Sequence, residues 1–418
     1  MPRTTPFHPR TAARCGSFLW KEWSGYAAVR AYDAHSEEEY FAVRHKAGVI
    51  DVSPLCKYDL SGPDAAKLLS RVFTRNPAAM PERRVAYGLL CDDDGCVLDD
   101  GTLSRIGPDR WRLCTSERWG AWLHRHARRL DVRIDDTTEA LAALAVQGPL
   151  SRKCLAPLVD FEIAKMPYFR VRPAKIAGVD GWISRTGFTG DLGYELFVPA
   201  DQALRVWDAL FEAGAPHQLA PFGLDALDVL RIEAGFVIQG VDYFTSRTAA
   251  IPSRKSTPDE IGLGGVVDLE DRLVPFVGQA AVVAERARGS RWDLVALALD
   301  WAELERLYQA YGLPPHLAPA ACRNPVPVYA EDGRTQVGQV TSQTWSPVLK
   351  QYLCLATVQA DRGGKGTPLR VEHTVDYERR TVLAHVVDRP AFDPARKRSV
   401  GERPARNPTP APVVAGAL

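Results

Sequence analysis

Apolar residues recur along this chain at two spacings, and the spacing changes from stretch to stretch. Helical spacing predicts helices over Glu37–Ala47 with Gly48 as the stop, after Pro63 with Leu68, Leu69, Val72 and Phe73 inward, and over Glu117–Leu130. The same spacing marks Asp201–Ala213 through Leu204, Trp207, Leu210 and Phe211, then Gly223–Ala234 through Leu227 and Leu230, then Asp300–Tyr311. Alternation or short apolar runs bounded by turn residues predict strands at 49–52, 58–60, 111–114 and 141–147. Hairpins are expected at 87–91 with 97–103, around the Asp92–Gly95 turn, and at 182–184 with 194–198. From Pro325 onward the pattern is short strands only (326–330, 336–341, 352–359, 369–374, 381–387), which predicts a small all-β unit closed as a barrel. Helices mixed with meandering strands indicate an α+β protein, not a doubly wound sheet.

The stretch ISRTGFTGDLGYELFVP, residues 183–199, departs most from a plain pattern. Gly187, Gly190 and Gly193 are three apart, so the backbone there is free to take positive φ and to admit a close neighbour. On the strand that follows, Glu195, Phe197 and Pro199 share one face, and Tyr194, Leu196 and Val198 the other. A carboxylate among apolar neighbours needs a partner or a task. Asp99 and Asp100 pose the same question: they follow Val97-Leu98 in a strand, must point to opposite faces, and one of them faces an interior or a cleft. Gly101 beside them would permit close approach of a ligand. A buried ion pair or capped turn is the structural alternative. Tyr87, Tyr194 and Arg231 are further candidates. The tyrosines read equally as core aromatics with a bonded hydroxyl, and Arg231 as a charge that salt-bridges inward or grips a carboxylate.

Composition narrows the classes. At 418 residues the chain has room for two or three domains, with 46% hydrophobic and 25% charged residues, as in an ordinary globular protein. A formal net charge of +1 gives no field for nucleic acid or an anionic membrane, and the Arg clusters are scattered. Eight singly spaced cysteines suggest a reduced compartment, and no apolar run reaches membrane length, so a cytoplasmic protein without a cleaved signal is expected. No metal site is expected: His124 and His126 face apart on a helix, and no other ligand cluster joins them. The glycine loops lack the spacing of a nucleotide cradle, and no nucleophile elbow or zinc motif is present.

Five ordered motifs carry a resemblance. They are Ala42-Val43-Arg44 with Gly48-Val49-Ile50-Asp51-Val52-Ser53; Val97-Leu98-Asp99-Asp100; Ala145-Val146-Gln147-Gly148-Pro149; Arg185-Thr186-Gly187-Phe188-Thr189-Gly190 with Gly193-Tyr194-Glu195; and Gly223-Leu224-Asp225-Ala226-Leu227-Asp228 with Leu230-Arg231-Ile232-Glu233-Ala234-Gly235. In order and spacing, from about residue 37 to 280, they resemble the glycine-cleavage T-protein (aminomethyltransferase) superfamily of tetrahydrofolate-dependent one-carbon transferases. The β-rich end, with Gly338, Thr341-Ser342 and Ser346-Pro347, looks like that family's final barrel.

The resemblance implies a three-domain cloverleaf with the folate site in the central hole. One discontinuous domain would take 1–50 and 141–255, a second 51–140, and a linker plus C-terminal β-barrel 256–395. The proline-rich, aromatic-free 396–418 is expected to be disordered. Carried over, Asp100 matches the catalytic aspartate, Glu195 the glutamate that bonds the pterin, Tyr87 a tyrosine lining the folate site and Arg231 an arginine of that site. Where the T-protein has a Gly-Gln-Glu run, this chain has Ile238-Gln239-Gly240-Val241-Asp242-Tyr243. Together with Asp51-Val52-Ser53-Pro54-Leu55-x-Lys57 and Asp99-Asp100-Gly101-Thr102, that departure is more similar to folate-dependent aromatic O-demethylases of the vanillate and syringate type. The implied activity is then demethylation of a small methoxy or N-methyl donor with tetrahydrofolate as acceptor, Tyr243 being a candidate general acid for the leaving atom. Glycine cleavage with a lipoyl carrier protein as partner is the second reading, and a folate-binding scaffold without turnover the third.

Overall fold

The computed structural model describes residues 2–318 and 320–401. Three β structures organise it. The first sheet runs Val171–Ile176, Val179–Ser184, Gly193–Pro199, Leu141–Gln147, Gly48–Asp51, Ala220–Pro221, antiparallel except for the last pair. The second is an antiparallel meander of Val85–Cys91, Val97–Gly107, Arg110–Thr115, Cys56–Ser61 and Arg133–Asp136. The third is a closed six-stranded barrel. Five of its strands follow from the sequence pattern. The sixth, Trp292–Leu299, precedes the helix Trp301–Gln309 and closes the barrel by pairing with both Gln351–Gln359 and Glu378–Val387. A mixed helix-and-strand fold with a terminal barrel is therefore what the chain adopts.

Helices cover the sheets where the apolar stripes require it. Helix Ala203–Gly214 buries Val206, Trp207 and Leu210 against Val146, Tyr194, Leu196 and Val198 of the first sheet. Helix Ala65–Val72 buries Leu68, Leu69 and Val72 against the second. The stripe read over 117–130 is helical only over Gly120–His126. Among the elements not legible were helix His8–Arg14, strand Val171–Ile176, helix Gln279–Arg288, and the hairpin of Leu19–Trp23 with Tyr26–Ala31, whose second strand lies along helix Leu224–Glu233. Gly223 permits that contact, since a Cβ there would stand 2.3 Å from the carbonyl oxygen of Arg30.

Residues 396–401, expected to be disordered, are held in place. Arg396 pairs both guanidinium nitrogens with Asp191 at 2.7 Å, and buried Arg185 donates to the carbonyls of Arg396, Lys397 and Ser399. Arg152 reaches Gly401 at 2.7 Å. Composition misses this because the partners lie about 200 residues away or more. The remainder of the expected tail, 402–418, lies outside the described residues. Among the described residues no helix is long and apolar enough to cross a membrane.

Candidate active site

A cavity of about 530 Å³ opens where the sheets, the N-terminal hairpin and the segment entering the barrel meet. That volume suits a ligand of cofactor size. The second sheet contributes Tyr87, Asp100 and Thr102; the first contributes Gln147 and Glu195; the hairpin contributes Lys21.

Strand alternation decides the roles of the adjacent aspartates. Asp99 turns inward, fully buried, and accepts from Ser116 Oγ at 2.5 Å, Trp119 Nε1 at 2.7 Å and the Glu117 amide at 3.0 Å. It also accepts from the Asp100 amide at 2.8 Å, which fixes the backbone under its neighbour. Asp100 turns to the cavity, where Tyr87 donates to Oδ2 at 2.9 Å and Tyr243 donates to Oδ1. Gly101 serves strand pairing: a Cβ there would lie 2.1 Å from the Cys114 carbonyl, so the close neighbour is the next strand.

Glu195 comes from the opposite wall. Thr186 donates to its Oε2, and Ser184 does so at 3.4 Å. Among the described residues Oε1 has no hydrogen-bond partner. The glycine loop before it wraps the buried amide of Gln147, whose Oε1 accepts from Thr189 at 2.9 Å while Nε2 donates to the Thr186 carbonyl at 3.2 Å. A Cβ at Gly187 or Gly193 would stand 2.0 or 2.1 Å from that amide, and Gly190 takes φ +76°. The loop thus sets Thr186 and Glu195 against the cavity, and Phe188 stacks on Phe236 with centroids 5.3 Å apart.

Neither Asp99, Asp100 nor Glu195 forms an ion pair with a described residue. Burial without a counter-cation raises the carboxyl pKa of all three, opposed by the hydrogen bonds they accept. For Asp99 the Asp100 charge adds to the rise.

Three other expected site residues are placed elsewhere. Tyr194 is wholly buried in the core beneath the first sheet, its hydroxyl accepting from Arg152 at 3.1 Å; the alternation that gives Glu195 the cavity denies it to Tyr194. Arg231 does not line the cavity. Its guanidinium is consumed by Asp228 (2.7 Å), Asp242 (2.5 Å), the Phe236 carbonyl (3.2 Å) and Ser342 of the barrel (2.7 Å). Tyr243 touches Asp100 from behind, outside the lining, and burial beside that carboxylate raises its phenol well above the ordinary value. A phenol so placed has its proton committed to Asp100 and stands outside the lining that a leaving atom would touch. Gln147, Ser116 and Lys21 line the cavity without a role assigned from sequence. Only Gln147, inside a quoted motif beside three loop glycines, carried a signal.

Comparison with known proteins fits this arrangement. Residues 7–271 match the GCVT N-terminal domain, and residues 312–393 the glycine cleavage T-protein C-terminal barrel domain. An aminomethyltransferase of Herpetosiphon aurantiacus is 32% identical over 364 residues, covering 86% of this chain and 91% of that protein. A trimethylamine-oxide aldolase of Ruegeria pomeroyi is 32% identical over 410 residues, 95% of this chain; the chain spans 48% of that protein's length. The crystal structure of glycine cleavage system aminomethyltransferase T from Bartonella henselae superposes with a TM-score of 0.78 at 20% identity, covering 94% of this chain and 99% of that one, a likeness of fold. With one family's domain models covering both the sheets and the barrel, the chain belongs to the glycine-cleavage T-protein family and is a one-carbon transferase enzyme.

Proposed function

We propose that the chain moves a one-carbon unit from a small N-methyl or methoxy donor to tetrahydrofolate. The observation that carries this reading is the pair of half-buried carboxylates, Asp100 and Glu195, facing one cavity with no cation on either. A reduced pterin fits the donor set, because its edge offers several N–H groups and the free Oε1 of Glu195 accepts them. Tetrahydrofolate, when bound, supplies the nitrogen that receives the carbon. Glu195, fixed by Thr186 and the Gln147-centred loop, orients the ring. Asp100, held by Tyr87 and Tyr243, stabilises positive charge developing nearby or takes up a proton, and its raised pKa suits that exchange. The apolar lining from Phe188, Phe197 and Phe236 keeps water off the reacting atoms.

Of the two donor types, N-methyl is favoured, because a relative matched over 95% of this chain bears a name that concerns a trimethylated amine oxide. Aminomethyl transfer with a lipoyl carrier protein is the second reading, supported by aminomethyltransferases matched over nearly their whole length. The deciding experiment incubates the protein with tetrahydrofolate and, separately, N-methylamines and their oxides, methoxyaromatics, and an aminomethyl-loaded lipoyl carrier. Folate products are followed by mass spectrometry. One-carbon-loaded folate from an N-methyl donor is expected. Product from the carrier alone would replace this reading with the second, and folate binding without any product would leave a scaffold.

A further inference from the structure

Most charged side chains around the cavity are already matched. Asp228 is shared by two guanidiniums, Arg231 at 2.7 Å and Arg323 at 2.5 Å. Asp225 takes Arg30 at 2.8 Å, Glu117 takes Arg247 at 2.5 Å, and Glu22 caps the Gly25 amide at 2.5 Å. Lys21 lines the same cavity and has no side-chain hydrogen bond or ion pair with any described residue. Its partial desolvation and the nearby Arg323 guanidinium lower its pKa, opposed by Asp228 and Asp225, although the side chain is open to solvent. An anion placed there would relieve both effects.

The wall therefore has two electrostatic regions. Asp100 and Glu195 face the cavity without a cation, while Lys21 faces it unpaired beside Arg323, whose guanidinium shares Asp228 with Arg231. A folate has the complementary polarity, an N–H-rich head and a glutamyl tail that ends in carboxylates. We propose that Lys21 and Arg323 form a carboxylate-binding subsite of this cavity, occupied by the glutamyl tail of the folate. The inference rests on the folate reading above and adds to it residues from the N-terminal hairpin and from the segment entering the barrel. A carboxylate on the one-carbon donor has the same chemistry, so the test separates the two sources.

Lys21 is the residue to change, because its removal breaks no other recorded bond. Affinities of the full chain, wild type and Lys21→Met, are measured by calorimetry for tetrahydrofolate, for tetrahydropteroate, which lacks the glutamate, and for N,N-dimethylglycine. The expected result is about tenfold weaker tetrahydrofolate binding in Lys21→Met, with tetrahydropteroate unchanged and Lys21→Arg restoring affinity. Weakening confined to dimethylglycine would keep the subsite and assign its carboxylate to the donor. Equal loss for both folates, or no change for any ligand, would overturn the proposal while leaving the folate reading intact. A wild-type chain that binds neither folate would overturn both.

Discussion

Two groups of buried carboxylates lie close together in this chain and differ in one respect. At the seam between helix Leu224–Glu233 and the barrel, every acid has a guanidinium: Glu233 holds Arg44 at 2.6 Å, and Asp228 and Asp242 hold Arg231. The seam is closed further by Tyr40 and Ser346 on Glu233, both at 2.5 Å, and by Ser342 on Asp242 at 2.7 Å. At the cavity, Asp99, Asp100 and Glu195 are held only by neutral donors. Paired charges at Glu233 and Asp242 fasten the helix to the barrel away from the cavity, which, of these three acids, only Asp228 lines. Unpaired carboxylates kept at a cost to the fold are what make the cavity the candidate site.

The sharpest way to break this contrast is Arg231→Met. It strands Asp242 in the seam while Asp228 keeps Arg323, and about 3–5 kcal/mol of stability should be lost, read as a fall in denaturation midpoint. Folate affinity of the protein that remains folded should hold. A stable variant with lost folate binding would return Arg231 to the ligand site. Asp100→Asn should cut turnover roughly a hundredfold or more while folate affinity stays within a factor of about ten; unchanged turnover would remove Asp100 from the reaction. Glu195→Gln should weaken folate binding by about 1–3 kcal/mol, with a smaller effect on the bound complex's rate.

The smallest effect concerns stability and pH. Asp100 has a folded-state pKa above its ordinary value, so the folded chain binds the proton more tightly than the unfolded one. Its contribution to stability therefore declines as pH rises from the usual carboxylate range through the raised value. Asp100→Asn lacks this decline, so its melting temperature relative to wild type should rise between pH 4 and pH 8. Asp242→Asn should instead lower the melting temperature at neutral pH, because it leaves the buried Arg231 guanidinium without that carboxylate. A flat difference for Asp100→Asn would mean that the carboxylate is not held against ionisation.

The same contrast explains what could be read before folding. Alternation along 97–107 and 193–199 put Asp99 and Asp100 on opposite faces and set Glu195 apart from Tyr194; that Asp100 and Glu195 meet at one site, with Tyr87 on the adjacent strand, was implied only by the family resemblance. The motif around Arg231 was equally visible, but its partners Asp242 and Ser342 come from a loop and a barrel strand that no local pattern ties to the helix. Lys21 stayed hidden because a hairpin of five- and six-residue strands rich in tryptophan and alanine has too weak a period to announce itself. The sixth barrel strand was missed because a helix separates it from the other five.

The arginines that bind residues 396–401 have a consequence for how selectivity arises. Arg396 clasps Asp191 two positions before Gly193, where the Glu195 strand begins, and the polypeptide reaching it comes straight from the barrel's last strand. Helix Leu224–Glu233 joins the same two bodies a second time. The first sheet and the barrel are thus fastened to each other at two places. On the proposed reading, choice of donor falls to the side chains lining the cavity, and exchanging them should shift that choice while both fastenings stay in place.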